Sequence, residues 1–147
     1  MRLIQFSAFI LATVLAFLLS STQAASSIRY GKKISGTSTW FDGSDLHGAA
    51  CYGKLLNKDL DAQDGWHIAA VNPSGYKGAE KGVCFECAKV TYNSRSIIVR
   101  IIDTCRSCKS TQLDLTSSAF KTMAPLKVGR IKMTYEFIRC PTKGASF

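Results

Sequence analysis

Short runs of apolar and β-branched residues recur along the chain and predict a mostly β protein. Alternation is clearest in the last run, where Ile131, Met133, Tyr135 and Phe137 share one face of a strand. One helix is predicted over Thr116 to Met123, with Thr116 as its N-cap. Together these elements indicate a small closed barrel or sandwich. The predicted strands are Ile34 to Phe41, Trp66 to Val71, Val83 to Thr91, Ser96 to Ile102 and Val128 to Arg139.

The first segment of the chain has the pattern of a secretory signal. Arg2 precedes a 14-residue apolar run from Phe6 to Leu19, and small residues follow at Thr22 and Ala24. This run is shorter than the roughly 20 residues that span a bilayer. We therefore expect residues 1–24 to be cleaved and the protein to be secreted, in the extracellular space or at a cell wall.

Length and charge narrow the remaining possibilities. The 147 residues suit one domain and leave no room for a kinase or a full dinucleotide-binding enzyme. The net charge of +9 attracts polyanions. Nucleic acid is a poor candidate partner, because Lys32-Lys33 is the only basic pair and the chain is predicted to be exported.

The six cysteines allow two interpretations. Cys84-x-x-Cys87 followed by Cys105-x-x-Cys108 has the spacing of a zinc ribbon. A secreted chain instead meets an oxidising environment, and six cysteines make three disulfides without a remainder. In a strand over residues 83–91, Cys84 and Cys87 would also point to opposite faces. We favour disulfides, with the connectivity left open.

Candidate catalytic groups are few. Two histidines, His47 and His67, are too few for a three-histidine zinc site, and paired cysteines leave no thiol nucleophile. Asp103 follows an apolar run, and Asp114 lies between two leucines just before the predicted helix. Partial burial would raise the pKa of such a carboxyl and suit it to acid chemistry. The alternative is structural, a turn for Asp103 and a helix N-terminus for Asp114.

Several segments, in order along the chain, resemble the N-terminal domain of expansins. The wider family includes loosenins, barwin-like proteins and the rare-lipoprotein-A-like domains. The resemblance implies a six-stranded double-psi β-barrel with one short helix, stapled by disulfides. It divides the chain into the signal 1–24, an N-terminal segment 25–35, the barrel domain 36–141 and a tail 142–147. The segments are Gly36–Phe41 (GTSTWF), Gly48–Gly53 (GAACYG), Cys84–Cys87 (CFEC), Ser96–Cys105, Leu113–Phe120 (LDLTSSAF) and Gly129–Pro141.

The resemblance also implies roles for individual residues. Asp114 matches the aspartate of expansins, which corresponds to the general acid of family-45 endoglucanases. Thr39 matches the threonine beside it, and Asp103 matches a further acidic residue of the groove. The aromatic candidates for stacking on sugar rings are Trp40, Phe41 and Tyr76, and strand alternation predicts that Trp40 or Phe41 faces inward. The implied disulfides are Cys51–Cys84, Cys87–Cys140 and Cys105–Cys108.

Two departures from the family bear on mechanism. The base of the endoglucanases corresponds to Gly43, and Asp42, one residue earlier, would point to the other face unless a bulge intervenes. Val71 stands where peptidoglycan-cleaving relatives have a histidine. The sequence thus lacks a complete acid–base pair, so hydrolysis is not expected.

We therefore expect a secreted monomer without cofactor or metal that binds cell-wall polysaccharide and loosens it without cutting. Cellulose, chitin, pectin or another acidic glycan are the candidate polymers, and neither nucleic acid nor, after signal cleavage, a membrane is an expected partner. One alternative is a weak endoglucanase that uses Asp114 with Asp42 or Asp45. Another is a secreted interaction or defence protein on the same barrel, such as a chitin binder, a signalling protein or a protease inhibitor.

Overall fold

A computed structural model describes residues 27–43, 46, 48–51, 67–78 and 82–141. The predicted signal segment, the tail 142–147, Asp45, His47 and Trp66 lie outside the described residues. None of the described helices is long and apolar enough to cross a membrane.

Six strands form a closed barrel in the order β1-β5-β2-β4-β3-β6. The β1–β5 and β2–β4 pairs are parallel, and the other four pairs are antiparallel. A helix, α1, follows β5 directly. The elements are β1 Ile34–Phe41, β2 Ile68–Val71, β3 Cys87–Tyr92, β4 Arg95–Thr104, β5 Gln112–Thr116, α1 Ser117–Met123 and β6 Ile131–Ile138.

The alternation seen in the sequence sets which side chains fill the barrel. In β6 the four residues of the predicted inner face are buried, while Lys132 on the other face is exposed. The helix covers this core with Ala119, Phe120 and Met123, as predicted. Thr116 is its N-cap, but the Thr116 side chain makes no capping hydrogen bond to the helix backbone.

A second apolar cluster lies outside the barrel. Ile68 and Ile102 are fully buried there beneath Leu46 and Ala49, and Phe41 packs against them. Leu46 and Ala49 pack there over Ile68 of β2 and Ile102 of β4, and Cys51 donates its N–H to the carbonyl of Ile102.

One predicted strand has the wrong start, and one strand was not predicted. The predicted strand over residues 83–91 begins at Cys87, because Val83 to Phe85 form a turn in which Phe85 has a φ of 67°. Cys84 therefore diverges from Cys87 through this turn and not through strand alternation. The strand β5 was not predicted, because its five residues run without a break into the helix.

Candidate functional site

A row of four residues crosses the outer face of the barrel from β1 to β4. In the strand registers Thr39 lies opposite Asp114, Asp114 opposite Ala70, and Ala70 opposite Asp103. Directly opposite residues point to the same face of a sheet, and neighbouring strands are about 4.8 Å apart, so this row is about 14 Å long. We call Thr39, Asp114, Ala70 and Asp103 the carboxylate row. Its centre is the small side chain of Ala70, which is buried between the two aspartates.

An irregularity in the sheet determines which β4 residue joins the row. The register of β2 against β4 shifts between Ala69 and Ala70, so that Ala69 pairs with Ile101 and Ala70 pairs with Asp103. The shift passes over Ile102, which is buried in the outer cluster. Without this bulge an apolar residue would stand in place of Asp103.

Asp114 ends a chain of side-chain hydrogen bonds. The Thr39 hydroxyl donates to Asp114 Oδ1 at 2.5 Å and accepts from Gln112 Nε2 at 2.9 Å. Arg130 Nη1 donates in turn to Gln112 Oε1 at 3.4 Å. Neither Gln112 nor Arg130 was predicted from the sequence as a site residue. Gln112 lies two residues before Asp114 on the same strand face, a signal that needed β5 to be predicted first.

Burial raises the pKa of Asp114 above its usual value. The Thr39 hydrogen bond and the charge of Arg130 oppose this effect, and the charge of Asp103 adds to it. Asp114 therefore retains its proton to a higher pH than an exposed aspartate. In its protonated form it can donate as well as accept a hydrogen bond.

Asp103 is held differently, by backbone donors. Its Oδ1 accepts from the N–H of Thr104 at 2.7 Å and from the N–H of Ala50 at 3.0 Å. These bonds orient the carboxylate and connect Ala50 to the end of β4. One oxygen is thus occupied by the protein, while Asp103 as a whole is half-buried at the end of the row.

All six cysteines are paired, as Cys51–Cys84, Cys87–Cys140 and Cys105–Cys108. These are the pairs that the family resemblance implies. The sulfurs of the third pair lie within 4.8 Å of a carboxylate oxygen of Asp114, in the turn between β4 and β5. Disulfide sulfurs are not thiolates, so this cluster offers no cysteine ligand for zinc.

The three aromatic candidates lie in different places. Trp40 follows Thr39, is 37% exposed, and donates its indole N–H to the carbonyl of Leu126 at 3.0 Å. Phe41 is half-buried against the outer cluster, so neither ring belongs to the barrel core. Tyr76 packs edge-on against Phe137, with ring centroids 5.7 Å apart, and lines a cavity with Ile34 at the opposite end of β1 from Thr39. Tyr76 is thus remote from the carboxylate row, and Trp40 is next to Thr39 in β1, where successive side chains point to opposite faces.

Comparison with known proteins identifies the family. Residues 33–135 match the model of a double-psi β-barrel family described as "Lytic transglycolase". The chain belongs to this family, and its six-stranded barrel is a double-psi β-barrel of the expansin-like type.

Individual relatives share this barrel. A papain inhibitor of Streptomyces mobaraensis is 32% identical over 145 residues, which cover 94% of this chain and 95% of that protein. The solved Streptomyces papain inhibitor has a TM-score of 0.61 at 28% identity, over 76% of this chain and 99% of its own. An expansin of Clavibacter michiganensis has the same TM-score at 22% identity, over 76% of this chain and 52% of its own. A mutant of that expansin was solved in complex with cellohexaose.

Proposed function

We propose that the carboxylate row binds a cell-wall polysaccharide and that the protein loosens this polymer without cutting it. The observation that carries the proposal is the register that aligns Thr39, Asp114 and Asp103 on one outer face of the barrel. Three disulfides suit a protein that works outside the cell. A mutant of the Clavibacter expansin, half of which this chain matches, was solved with cellohexaose, and this supports a glucan as candidate ligand.

The polar groups of the row match the chemistry of sugar hydroxyls, which donate and accept hydrogen bonds. Asp103 offers an oriented acceptor, and Asp114 offers an acceptor or, when protonated, a donor. The partly exposed indole of Trp40, the residue after Thr39, is the candidate ring for stacking on a sugar. A shallow surface of this kind suits an extended polymer better than a small molecule.

Electrostatics favour an acidic polymer. The whole chain carries a net charge of +9, and the guanidinium of Arg130 contacts both Gln112 and Thr37 beside the row. Attraction between exposed charges is screened by salt, with a Debye length of about 8 Å at physiological ionic strength. Binding to pectin should therefore weaken with added salt more than binding to neutral cellulose.

Hydrolysis is the less favoured use of Asp114. Asp42 follows the end of β1 and is exposed, and Asp103 stands two strands away from Asp114, about 10 Å across the sheet. Inverting hydrolysis needs carboxyl groups about 6.5–9.5 Å apart. One oxygen of Asp103 is also engaged by two backbone donors, which suits it to holding a ligand. Val71, where peptidoglycan-cleaving relatives have a histidine, is buried in the barrel core.

The test compares Asp114→Asn with Asp42→Asn, which changes an exposed carboxylate outside the row. Filter-paper weakening, binding to cellulose, chitin and pectin, and release of reducing sugar are measured on the same samples. We expect Asp114→Asn to abolish weakening while binding changes by less than about threefold, and Asp42→Asn to act as wild type. Weakening that survives Asp114→Asn would refute the proposal. Reducing sugar released by wild type but not by Asp114→Asn would establish the endoglucanase instead.

A second candidate function is inhibition of a papain-like cysteine protease. The similarity to the Streptomyces papain inhibitor favours it, since it extends over nearly the whole length of both chains. The expansin similarity, in contrast, covers about half of that protein. If inhibition is the function, changes at Asp114 and Thr39 should leave it intact.

A further inference from the structure

Two exposed aromatic rings, Phe85 and Tyr30, lie beside β3 and β4 and outside the carboxylate row. Phe85 is 37% exposed and Tyr30 is 44% exposed, and the Tyr30 hydroxyl donates to Glu86 Oε2 at 2.7 Å. An arginine covers each ring: Arg100 Cζ is 5.6 Å from the Phe85 centroid, and Arg139 Cζ is 5.2 Å from the Tyr30 centroid. We call these five residues the Phe85 surface.

The turn that carries Phe85 is held rigidly. Cys84 and Cys87 flank it, and their disulfides reach Cys51 in one direction and Cys140 in the other. Two backbone hydrogen bonds of 2.8 Å also join the turn to β4, from the N–H of Phe85 to the carbonyl of Ile101 and from the N–H of Ile101 to the carbonyl of Glu86.

The backbone of Phe85 is in an unfavourable conformation for its residue type. Its φ of 67° lies in the left-handed region, which bulky residues rarely adopt. A glycine would meet this geometry without strain, yet the chain places a large apolar ring here and exposes it. Strain of this kind is concentrated at functional sites.

The composition of the Phe85 surface is that of a protein-binding hot spot. Aromatic residues and arginine are enriched where interfaces concentrate their binding energy, and lysine is depleted. Because the turn is already ordered by covalent bonds, binding costs little conformational entropy.

We propose that the Phe85 surface is the contact through which this protein inhibits a papain-like cysteine protease, with the Phe85 ring seated in an apolar pocket of the protease cleft. The inference rests on the second candidate function and locates it. The arginines at the two rings favour carboxylates around the rim of that pocket. The Phe85 surface shares no residue with the carboxylate row: Arg100 lies three residues before Asp103 on β4, and Asp114 lies on β5, two strands from β4.

The experiment measures the inhibition constant against papain for the full mature chain. The main variant is Phe85→Gly, which removes the ring and suits the positive φ, so the turn should remain folded. We expect at least tenfold weaker inhibition, as for loss of a central hot-spot residue. Phe85→Tyr, which keeps an aromatic ring, should retain inhibition within about threefold.

The controls separate this proposal from the proposed polysaccharide function. Trp40→Ala removes a ring that is equally exposed but outside the Phe85 surface, and Asp114→Asn changes the carboxylate row. Both should inhibit papain like wild type, with unfolding curves confirming that every variant is folded. Wild-type inhibition that Phe85→Gly leaves unchanged would show that the contact lies elsewhere. Absence of inhibition by wild type would overturn both this proposal and the second candidate function, while filter-paper weakening would still report on the first.

Discussion

Replacing Thr39 by valine tests the hydrogen-bond chain that ends at Asp114. Valine has nearly the shape of threonine but lacks the hydroxyl, so the bond to Asp114 Oδ1 and the bond from Gln112 Nε2 are both lost. A hydrogen bond to a charged group contributes about 1.5–3 kcal/mol and a neutral one about 0.5–1.5 kcal/mol. Because Asp114 is only half-buried, water can replace part of the lost hydrogen bonding. The expected loss of unfolding free energy is about 1–2 kcal/mol at pH 7.

The loss of unfolding free energy caused by Thr39→Val should become smaller as the pH falls. The Thr39 hydroxyl stabilises the carboxylate and opposes the rise in pKa that burial causes at Asp114, so the valine variant should have a still higher pKa there. Well above that pKa the folded state of each protein carries the charged carboxylate, and the difference in unfolding free energy is fully present. As the pH falls through the pKa of Asp114, the folded state takes up a proton, the charged hydrogen bond becomes neutral, and the difference narrows.

Urea denaturation of wild type and Thr39→Val at several pH values between 7 and 3 measures this difference. Thr37→Val is the matched control, because Thr37 lies on the same strand and face and accepts a 3.3 Å contact from Arg130. Thr37→Val should lower the unfolding free energy by less than about 0.5 kcal/mol. Equal stabilities of the two variants at pH 7, or a Thr39→Val deficit that stays constant down to pH 3, would refute the reasoning.

Two further predictions concern the framework of the barrel. Gly36→Ala should cost about 3 kcal/mol, because its Cβ would lie 1.8 Å from a backbone carbonyl oxygen, whereas Gly75→Ala, with nothing within 4 Å, should change stability by less than about 0.5 kcal/mol. Urea denaturation of the two variants checks this, and similar midpoints would contradict it. Joint replacement of Cys87 and Cys140 by alanine should cost about 4 kcal/mol, since this disulfide closes a separation of 53 residues in the unfolded chain. A thermal or urea midpoint near that of wild type would show that the loop entropy was overestimated.

Local patterns in the sequence predicted many of the elements. The bounds of β1 were predicted correctly, and the inner face of β6 followed from its alternation, since a strand repeats every two residues whatever its partners are. Asp103 and Asp114 were selected as polar residues beside apolar runs, and the structure brings both into one row. These features could be predicted because they depend on residues that are adjacent in the sequence.

The sequence by itself therefore determined local features: strands, their buried faces, one helix and an even set of cysteines. The tertiary structure decided the strand order, the bulge that puts Asp103 rather than Ile102 in the row, and the hydrogen bonds of Gln112 and Arg130. It also separated Tyr76 from the row and exposed Phe85 in the turn before β3. The physical reason is that periodicity depends on adjacent residues, whereas register and closure depend on hydrogen bonds between strands far apart in the chain.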